Sequence, residues 1–417
     1  MAKKASTLYI TRNGLLEPLG QSQVLSYLKG LSQDYQITLI TFEKPEDLAD
    51  TQAMAKANAD CQAHGIDWRP KRFRRSPKLL APAWSMFEMF WSALQAARRG
   101  EAQLIHARSY LPAAAAWAVF RITGTPFIFD MRALWPEELV TAGRLRRGSI
   151  IHKALVGLER RCLRDAAVVV SLTEAATDHL KQEYPIDLKE QNIAIIPTCT
   201  NLERFVLSSE LPSARVYGCI GTVLSGWFRL DWLAGFYLQV AARDHDARFE
   251  VVTRDDQDAV RHALDPDGTL GDRLFIYPLP SDRVQEALQK QSASVMFYAG
   301  GEVSELGRSP TRMAEVLGCG LPVVANEGVG DVADIIRQYN VGVIVADGSE
   351  TAMKVALDEL EVLRSDPDLP SRCRKAAEEV FSLEAGTDAY RKIYADILGH
   401  PDSPEAEPAG AQAANDR

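Results

Sequence analysis

The sequence predicts an α/β fold of two facing, doubly wound, Rossmann-like domains, each built on a parallel sheet. Three observations carry that expectation. Short β-branched runs alternate with helical patterns along the chain, which means parallel strands joined by helical crossovers. Most runs, such as FIFD at 127–130 and AVVVSL at 167–172, are continuously apolar rather than alternating. That is the pattern of strands covered on both faces. The runs also fall into two series of about six, parted by a stretch from Pro197 to Pro212.

The first series is Thr7–Thr11, Gln36–Phe42, Leu104–Ala107, Phe127–Asp130, Ala167–Leu172 and Ile193–Ile196. Each run precedes a helical pattern of about ten residues or more. Pro197 stops the last run, and Ser208, Ser209 and Pro212 have linker character. The second series is Val216–Ile220, Arg248–Thr253, Leu274–Tyr277, Ser294–Tyr298, Pro322–Ala325 and Gly342–Val345. A helical pattern over Leu383–Leu398 follows, and then a tail of Pro, Ala and acid without an apolar face. The expected organisation is therefore a first domain over 1–202, a second over 203–382, a helix over 383–399, and a disordered tail over 400–417. Ligands bind outside the carboxyl ends of such strands, so chemistry is expected on the loops between the two domains.

Composition narrows the function classes. Of 417 residues, 46% are apolar and 25% charged, which excludes a disordered chain, a collagen and a coiled coil. No run reaches the roughly 18–20 apolar residues of a membrane span, and MAKKASTLYI lacks the apolar core of a signal peptide. Six scattered cysteines form no CxxC. They imply neither a zinc site nor a disulfide framework, and a cytoplasmic location is expected. The net charge of −9 divides into +6 over residues 1–200 and −15 over the rest. An acidic chain is a poor nucleic-acid binder, while its basic first half points to an anionic partner.

The segment Trp68 to Arg99 holds eight Lys and Arg against one acid, interleaved with aromatics. Arg72, Arg74 and Arg75 lie in it, and Arg144, Arg146 and Arg147 form a second cluster. One reading is an anionic membrane surface as partner, with the protein peripheral on the inner face of the cell membrane. The alternatives are a core helix with a solvated basic approach and, for the second cluster, an acceptor diphosphate site.

Two motifs point to phosphate. Gly20 stands at the start of a helix carrying Val24, Leu25, Leu28 and Leu31, where a glycine lets backbone N–H groups approach an anion. The stronger one is SPTRMAEVLGCGLPVVANEGVGDVADII, from Ser309 to Ile336. Ser309 is the expected N-cap, with Pro310 in the first turn. Arg312 adds charge to an anion-binding helix end. Glu315 lies one turn beyond Thr311, placed to accept the hydroxyls of a ribose. The later GVGDVA formally matches a dinucleotide fingerprint, but it falls late, after the strand–helix units are in place. A turn or sugar-phosphate loop is the expectation there. His106 ends a strand, where a packed role competes with a cleft role.

This segment resembles the donor motif of retaining glycosyltransferases of the large family 4 type, which have GT-B architecture, in their S-P-T-K branch. PLGQSQVLSYLKGL, IHARSYLPA, FIFDMRALWPEE, AAVVVSLTEAA and IIPTCTNLERF resemble further family segments in the right order, over about residues 6–395. The resemblance implies that Gly20 faces the donor phosphates. It implies that Thr311 and Arg312, with the backbone at Ser309 and Pro310, hold the diphosphate, and that Glu315 binds the ribose. Asp130 and Arg132 would be the catalytic pair near the reacting sugar, and the helix over 383–399 would cross back to the first domain. Two departures stand out. The family's E-x7-E pair needs an acid where this chain has Gly307, and Thr222 replaces the arginine of the phosphate clamp, leaving Arg229 and Arg254 as replacements.

The expected function is a metal-independent hexosyltransferase acting with retention. It would move a sugar from a nucleoside diphosphate sugar to a saccharide or lipid-linked acceptor in polysaccharide or glycolipid synthesis, with no cofactor. The alternatives are a nucleotide-sugar epimerase on the same fold and a non-catalytic sugar-nucleotide-binding subunit.

Overall fold

The computed structural model describes residues 4–74, 80–207 and 215–399. Ser208, Ser209, Pro212 and Arg75 lie outside the described residues, as does the 400–417 tail. The first sheet has seven parallel strands: β1 (Ser6–Thr11), β2 (Gln36–Glu43), β3 (Asp67–Arg72), β4 (Leu104–Arg108), β5 (Phe127–Asp130), β6 (Val168–Ser171) and β7 (Ile193–Ile195). Their order is β3-β2-β1-β4-β5-β6-β7. The second sheet has β8 (Val216–Ile220), β9 (Arg248–Val252), β10 (Leu274–Tyr277), β11 (Ala293–Met296), β12 (Val323–Asn326) and β13 (Gly342–Val345), in the order β10-β9-β8-β11-β12-β13. The expected α/β class of two doubly wound parallel sheets is thus the observed one. Strand order reverses between β1 and β4 and between β8 and β11, and crevices for ligands open at such points.

Strand β3 corrects the sequence reading. Its residues DWRPKR are polar and contain Pro70, so they resemble a loop. The strand is at the sheet edge, paired with β2 from Thr38–Asp67 to Glu43–Arg72. An edge tolerates proline and favours charge, which blunts pairing with other chains. Trp68 is therefore a core residue, its Nε1–H donating to Thr41 Oγ1 at 2.8 Å.

Three helices, Leu80–Arg98, Tyr110–Thr123 and Ile150–Asp165, pack side by side over one face of the first sheet. The other face is covered by Thr51–Ala63, Ser26–Leu31 and the last helix, Leu383–Leu398. That last helix follows the second sheet in the chain, yet Tyr390, Ile393 and Tyr394 pack with Tyr27, Leu28 and Tyr35 of the first domain's core. The chain passes between domains twice, and the two passages are bonded. Thr200 N–H donates to Phe381 O (2.9 Å) and Leu383 N–H donates to Thr200 O (3.0 Å).

A second contact joins the domains away from these passages. The Asp331 carboxylate accepts from the backbone N–H groups of Glu174 (2.8 Å) and Ala175 (3.0 Å), at the start of the helix Glu174–Glu183. Thr173 Oγ1–H donates to Leu306 O at 2.5 Å. A Cβ on Gly330 would lie 2.2 Å from Arg308 O and 2.8 Å from Thr173 Cγ2. Gly330 of the fingerprint-like segment thus serves close packing between domains, while Gly328 serves packing within its own, where a Cβ would lie 2.7 Å from Gly301 N. Gly307 is a similar case, since a Cβ there would meet Leu134 N at 3.0 Å.

Candidate functional site

A cleft of about 940 Å³ lies between the domains, where the carboxyl ends of both sheets face each other. One wall comes from the segment after β1: Leu16, then Pro18, Leu19, Gln21, Ser22, Leu25, Ser26 and Lys29. This wall runs through a helical turn Pro18–Gly20, a π-helical turn Gln21–Leu25 and the helix Ser26–Leu31. Spacings of one, four, five and eight residues from Gln21 put its side chains on one helical face. The opposite wall comes from the loops after β8 and β9, Tyr298, Arg308 and the helix Thr311–Gly318. Thr200, Asn201, Arg204 and Phe205 of the linker form the floor.

The charge of this lining is one-sided. Among the described residues of the lining, Lys29, Arg204, Arg254, Arg308 and Arg312 face one carboxylate, Glu315. Glu315 is buried and paired with Arg312 one helical turn earlier. Arg308 is fixed by Glu305, whose oxygens accept from Nε at 2.6 Å and Nη2 at 3.0 Å. Its guanidinium also stacks over Trp227 (5.0 Å) and Tyr298 (5.8 Å). Arg254 is exposed and has no ion pair among the described residues. The helix Thr311–Gly318 begins with Pro310 in the N-cap position and no side-chain cap. The N–H groups of Thr311 and Arg312 therefore lack the usual side-chain acceptor and suit an anion, whereas Met313 N–H donates to Pro310 O at 3.1 Å.

The structure brings Thr222, Arg254, Thr311, Arg312 and Glu315 together in the cleft. Six expected residues are placed differently, and each has a physical reason. Gly20 is buried against its own loop, where a Cβ would lie 2.1 Å from Gly14 O. Its smallness serves packing, and it is not part of the cleft lining. Arg229 turns to Asp231, bonding it at 2.9 and 2.7 Å, and stacks over Trp232 at 4.7 Å. Ser309 does not cap the helix, because its Oγ accepts from Thr198 N–H at 3.1 Å and ties the linker to the second domain. Pro310 stands one position before the helix rather than in its first turn.

Asp130 stands apart from the cleft. It has no accessible surface. Tyr390 of the last helix donates its hydroxyl to Asp130 Oδ2 at 3.2 Å, and Arg108 Nη1 lies 3.4 Å from the same oxygen. His106 Nε2 is 3.5 Å from it, while His106 Nδ1 lies 2.9 Å from the Tyr394 hydroxyl. Arg132, with φ of +65°, places Nη1 3.6 Å from Asp130 Oδ1 and Nη2 3.5 Å from Gln23 Oε1. Burial alone would raise the Asp130 pKa. Arg132, His106 and Arg108 outweigh it and hold the group well below the carboxylate range. Burial lowers the His106 pKa against the pull of Asp130, so the imidazole is neutral at pH 7 and meets Asp130 as a dipole rather than an ion pair. Of the two residues expected near the reacting sugar, Asp130 thus bonds the last helix through Tyr390, and Arg132 lies beside it.

Two loops expected to cradle phosphate are already occupied. Glu43 is buried and accepts from Leu15 N–H (2.7 Å), Leu16 N–H (3.4 Å) and Thr41 Oγ1–H (2.6 Å). Asp255 accepts from Val223 N–H (2.6 Å) and Leu224 N–H (2.9 Å), fixing the loop that presents Thr222. Charge stabilisation in the cleft thus falls to side-chain cations and one helix end. Sequence reasoning missed Arg308, Lys29 and Arg204. Arg308 had a signal, since it precedes the SPTR motif and stands three residues after Glu305.

Arg72 and Arg74 are exposed at and just beyond the end of β3, and Arg144, Arg146 and Arg147 lie in the turn before the helix Ile150–Asp165. Neither set lines the cleft. Arg147 is paired with Glu137.

A family model described as Glycosyltransferase Family 4 matches residues 21–204. No curated protein sequence matches the chain significantly. Solved structures share the fold over nearly the whole length. Sucrose-phosphate synthase from Thermosynechococcus elongatus is 15% identical with a TM-score of 0.67, covering 95% of this chain and 99% of its own. HepE from Anabaena, solved with UDP-glucose, is 14% identical with a TM-score of 0.64, covering 95% and 100%. A putative UDP-N-acetylglucosamine 2-epimerase from Listeria monocytogenes is 11% identical with a TM-score of 0.58, covering 95% and 98%. The fold is therefore that of GT-B glycosyltransferases, and an epimerase shares it.

Proposed function

We propose that the protein is a glycosyltransferase that moves a sugar from a nucleoside diphosphate sugar to a hydroxyl of a saccharide or lipid-linked acceptor. The supporting observation is the interdomain cleft, with five cations, one carboxylate and an uncapped helix end. Departure of a nucleoside diphosphate develops negative charge, and preorganised donors and cations at that charge lower the barrier. Arg254, Arg308 and Arg312 are proposed to hold the diphosphate, with the N–H groups at the start of the Thr311 helix. Glu315 is proposed to accept the ribose hydroxyls, exchanging part of its pairing with Arg312. The reading includes retention of configuration through an oxocarbenium-like state, charge stabilisation by these cations without a metal, and a place in polysaccharide or glycolipid synthesis. No protein nucleophile is assigned.

The epimerase neighbour gives the second reading its weight. Epimerisation needs acid and base groups beside the sugar, or a route that eliminates and re-adds the nucleotide. Among the described residues the cleft lining holds no histidine, and its one carboxylate is paired. That favours transfer. A thermal-shift panel of nucleoside diphosphates and their sugars tests the site. A ligand at 100 times its dissociation constant adds about 2.7 kcal/mol. Arg254→Ala and Arg312→Ala should each weaken nucleotide affinity by about 10–150-fold, the loss of a charged hydrogen bond of about 1.5–3 kcal/mol. If no nucleoside diphosphate shifts the melting temperature, the reading fails. Conversion of a nucleotide sugar without acceptor would replace it with epimerisation.

A further inference from the structure

The basic, aromatic segment between β3 and β4 takes no part in the cleft. Among its described aromatic residues, Trp68, Phe73 and Phe90 pack into or against the core. Trp84, Phe87 and Trp91 do not: they are 50%, 54% and 47% exposed. Their spacing of three and four residues sets them on one face of the helix Leu80–Arg98. They form a continuous row, with ring centroids 6.1 Å apart between Trp84 and Phe87 and 6.2 Å apart, stacked, between Phe87 and Trp91. Three adjacent large rings half in water are costly to leave bare.

The charges around this row are of one sign. Arg74 stacks its guanidinium over Trp84 at 5.4 Å. Arg72, Arg74, Arg98 and Arg99 are exposed and have no ion pair among the described residues. The acid of this helix, Glu88, has one carboxylate oxygen buried. A second apolar and basic group stands at the start of the helix Ile150–Asp165, where Ile150 and Ile151 are 87% and 66% exposed beside Arg144 and Arg146. In a parallel sheet each crossover helix starts near the carboxyl ends of the strands. Trp84, with Arg72 and Arg74, and the Ile150 group thus lie towards the cleft end of the first domain, roughly 20 Å apart across the helix Tyr110–Thr123 at usual interhelical spacings, while Arg98 and Arg99 close the helix at its other end.

We propose that this face is a docking surface for an anionic lipid bilayer, with Trp84, Phe87 and Trp91 seated at the headgroup boundary and the arginines on the lipid phosphates. Indole and phenyl rings prefer that boundary, and unpaired arginines supply the attraction to anionic lipid. A second copy of the chain fits less well, because two such faces would set their arginines against one another. The surface goes beyond the sugar-transfer reading, since none of its residues lines the cleft. If both readings hold, the bilayer lies beside the cleft mouth, where an acceptor on a lipid would enter.

The test is flotation of the full chain with vesicles of phosphatidylcholine, with and without about 30% phosphatidylglycerol, at low and high salt. At low salt, binding to the anionic vesicles should exceed binding to neutral ones by at least about 10-fold and fall with added salt. Tryptophan emission should shift to the blue on binding. The variant Trp84→Ser with Phe87→Ser and Trp91→Ser should lose at least about 10-fold in binding, with an unchanged melting temperature because these side chains are exposed. Arg72→Gln with Arg74→Gln should lower the preference for anionic lipid. Binding to neither vesicle, equal binding to both, or full binding by the triple variant would each overturn the proposal. So would a wild-type dimer, without vesicle binding, that the triple variant dissolves. Nucleotide thermal shifts on the same variants should match wild type, which keeps failure at the bilayer separate from failure in the cleft.

Discussion

Asp130 holds a charge with no accessible surface among a histidine, two arginines and a tyrosine. Burying an unpaired ion is expensive, whereas this one is held by Arg132 and Arg108, so removing either sign strands the other. Asp130→Asn keeps the shape and removes the charge. It should cost about 3–5 kcal/mol of stability and loosen the last helix. Thermal or denaturant unfolding at pH 7 would show it. An Asp130→Asn protein that melts normally but has lost turnover would return the residue to chemistry. Because its folded pKa is depressed, its stabilisation is present above the unfolded carboxylate range and lost as pH falls through the folded value. Glu159 shows the opposite sign. It is buried and accepts from Tyr110 (2.7 Å) and Tyr184 (2.9 Å). Burial raises its pKa to about 7 against the effect of those hydroxyls. A carboxyl with a raised folded pKa stabilises below the unfolded pKa, and that stability is lost as pH rises to the folded value. Glu159→Gln should therefore gain roughly 1–3 kcal/mol relative to wild type at pH 8, and much less at pH 4. An equal difference at both pH values would show that the residue does not titrate in this range.

Among the elements, the loop between β12 and the helix Val332–Tyr339 has the most to say about motion. Its Asp331 caps a helix of the other domain. The contact is an N-cap supplied from outside the helix's own chain neighbourhood, and a lost cap costs about 1 kcal/mol. Asp331→Ala should raise the ratio of open to closed molecules by about fivefold. A distance probe across the cleft would read it, and Asp331→Asn, which keeps an acceptor oxygen, should restore part of the closed population. A distance distribution identical to wild type would show that Thr173 and Leu306 hold the contact unaided. The elements also divide by how far the sequence reveals them. The runs at Phe127–Asp130, Val216–Ile220, Leu274–Tyr277 and Gly342–Val345 are observed with the expected bounds, the first two because a strand covered on both faces must be apolar throughout, the last two because these edge strands keep apolar residues. Strand β3 escapes detection because an edge strand is free to be polar. Arg254, Arg312 and Glu315 are legible from local motifs, since each acts where its own loop or helix places it. The enclosure of Asp130 is not, for its tyrosine partner lies 260 residues along the chain.

At the scale of the molecule, the basic first half and acidic second half meet across a cleft lined by both. The first domain contributes Lys29 to that lining, while the linker and second domain contribute the arginines. The cleft is thus cationic although the second half of the chain is acidic, because many of that half's carboxylates pair on outer surfaces, as Asp358 does with Arg243 and Glu286 with Arg283. The last helix adds a constraint of order in time. Tyr390, Ile393 and Tyr394 complete a core whose other members, from Tyr9 to Cys199, precede the whole second domain. On a ribosome adding roughly 5–20 residues per second, the first domain emerges some tens of seconds before the segment that seals it. During that interval the apolar seat of the last helix and the charged Asp130 below it stand open to water. Synthesis, and not only equilibrium stability, therefore bears on whether this chain reaches its fold, and the newborn first domain is the species most in need of a chaperone.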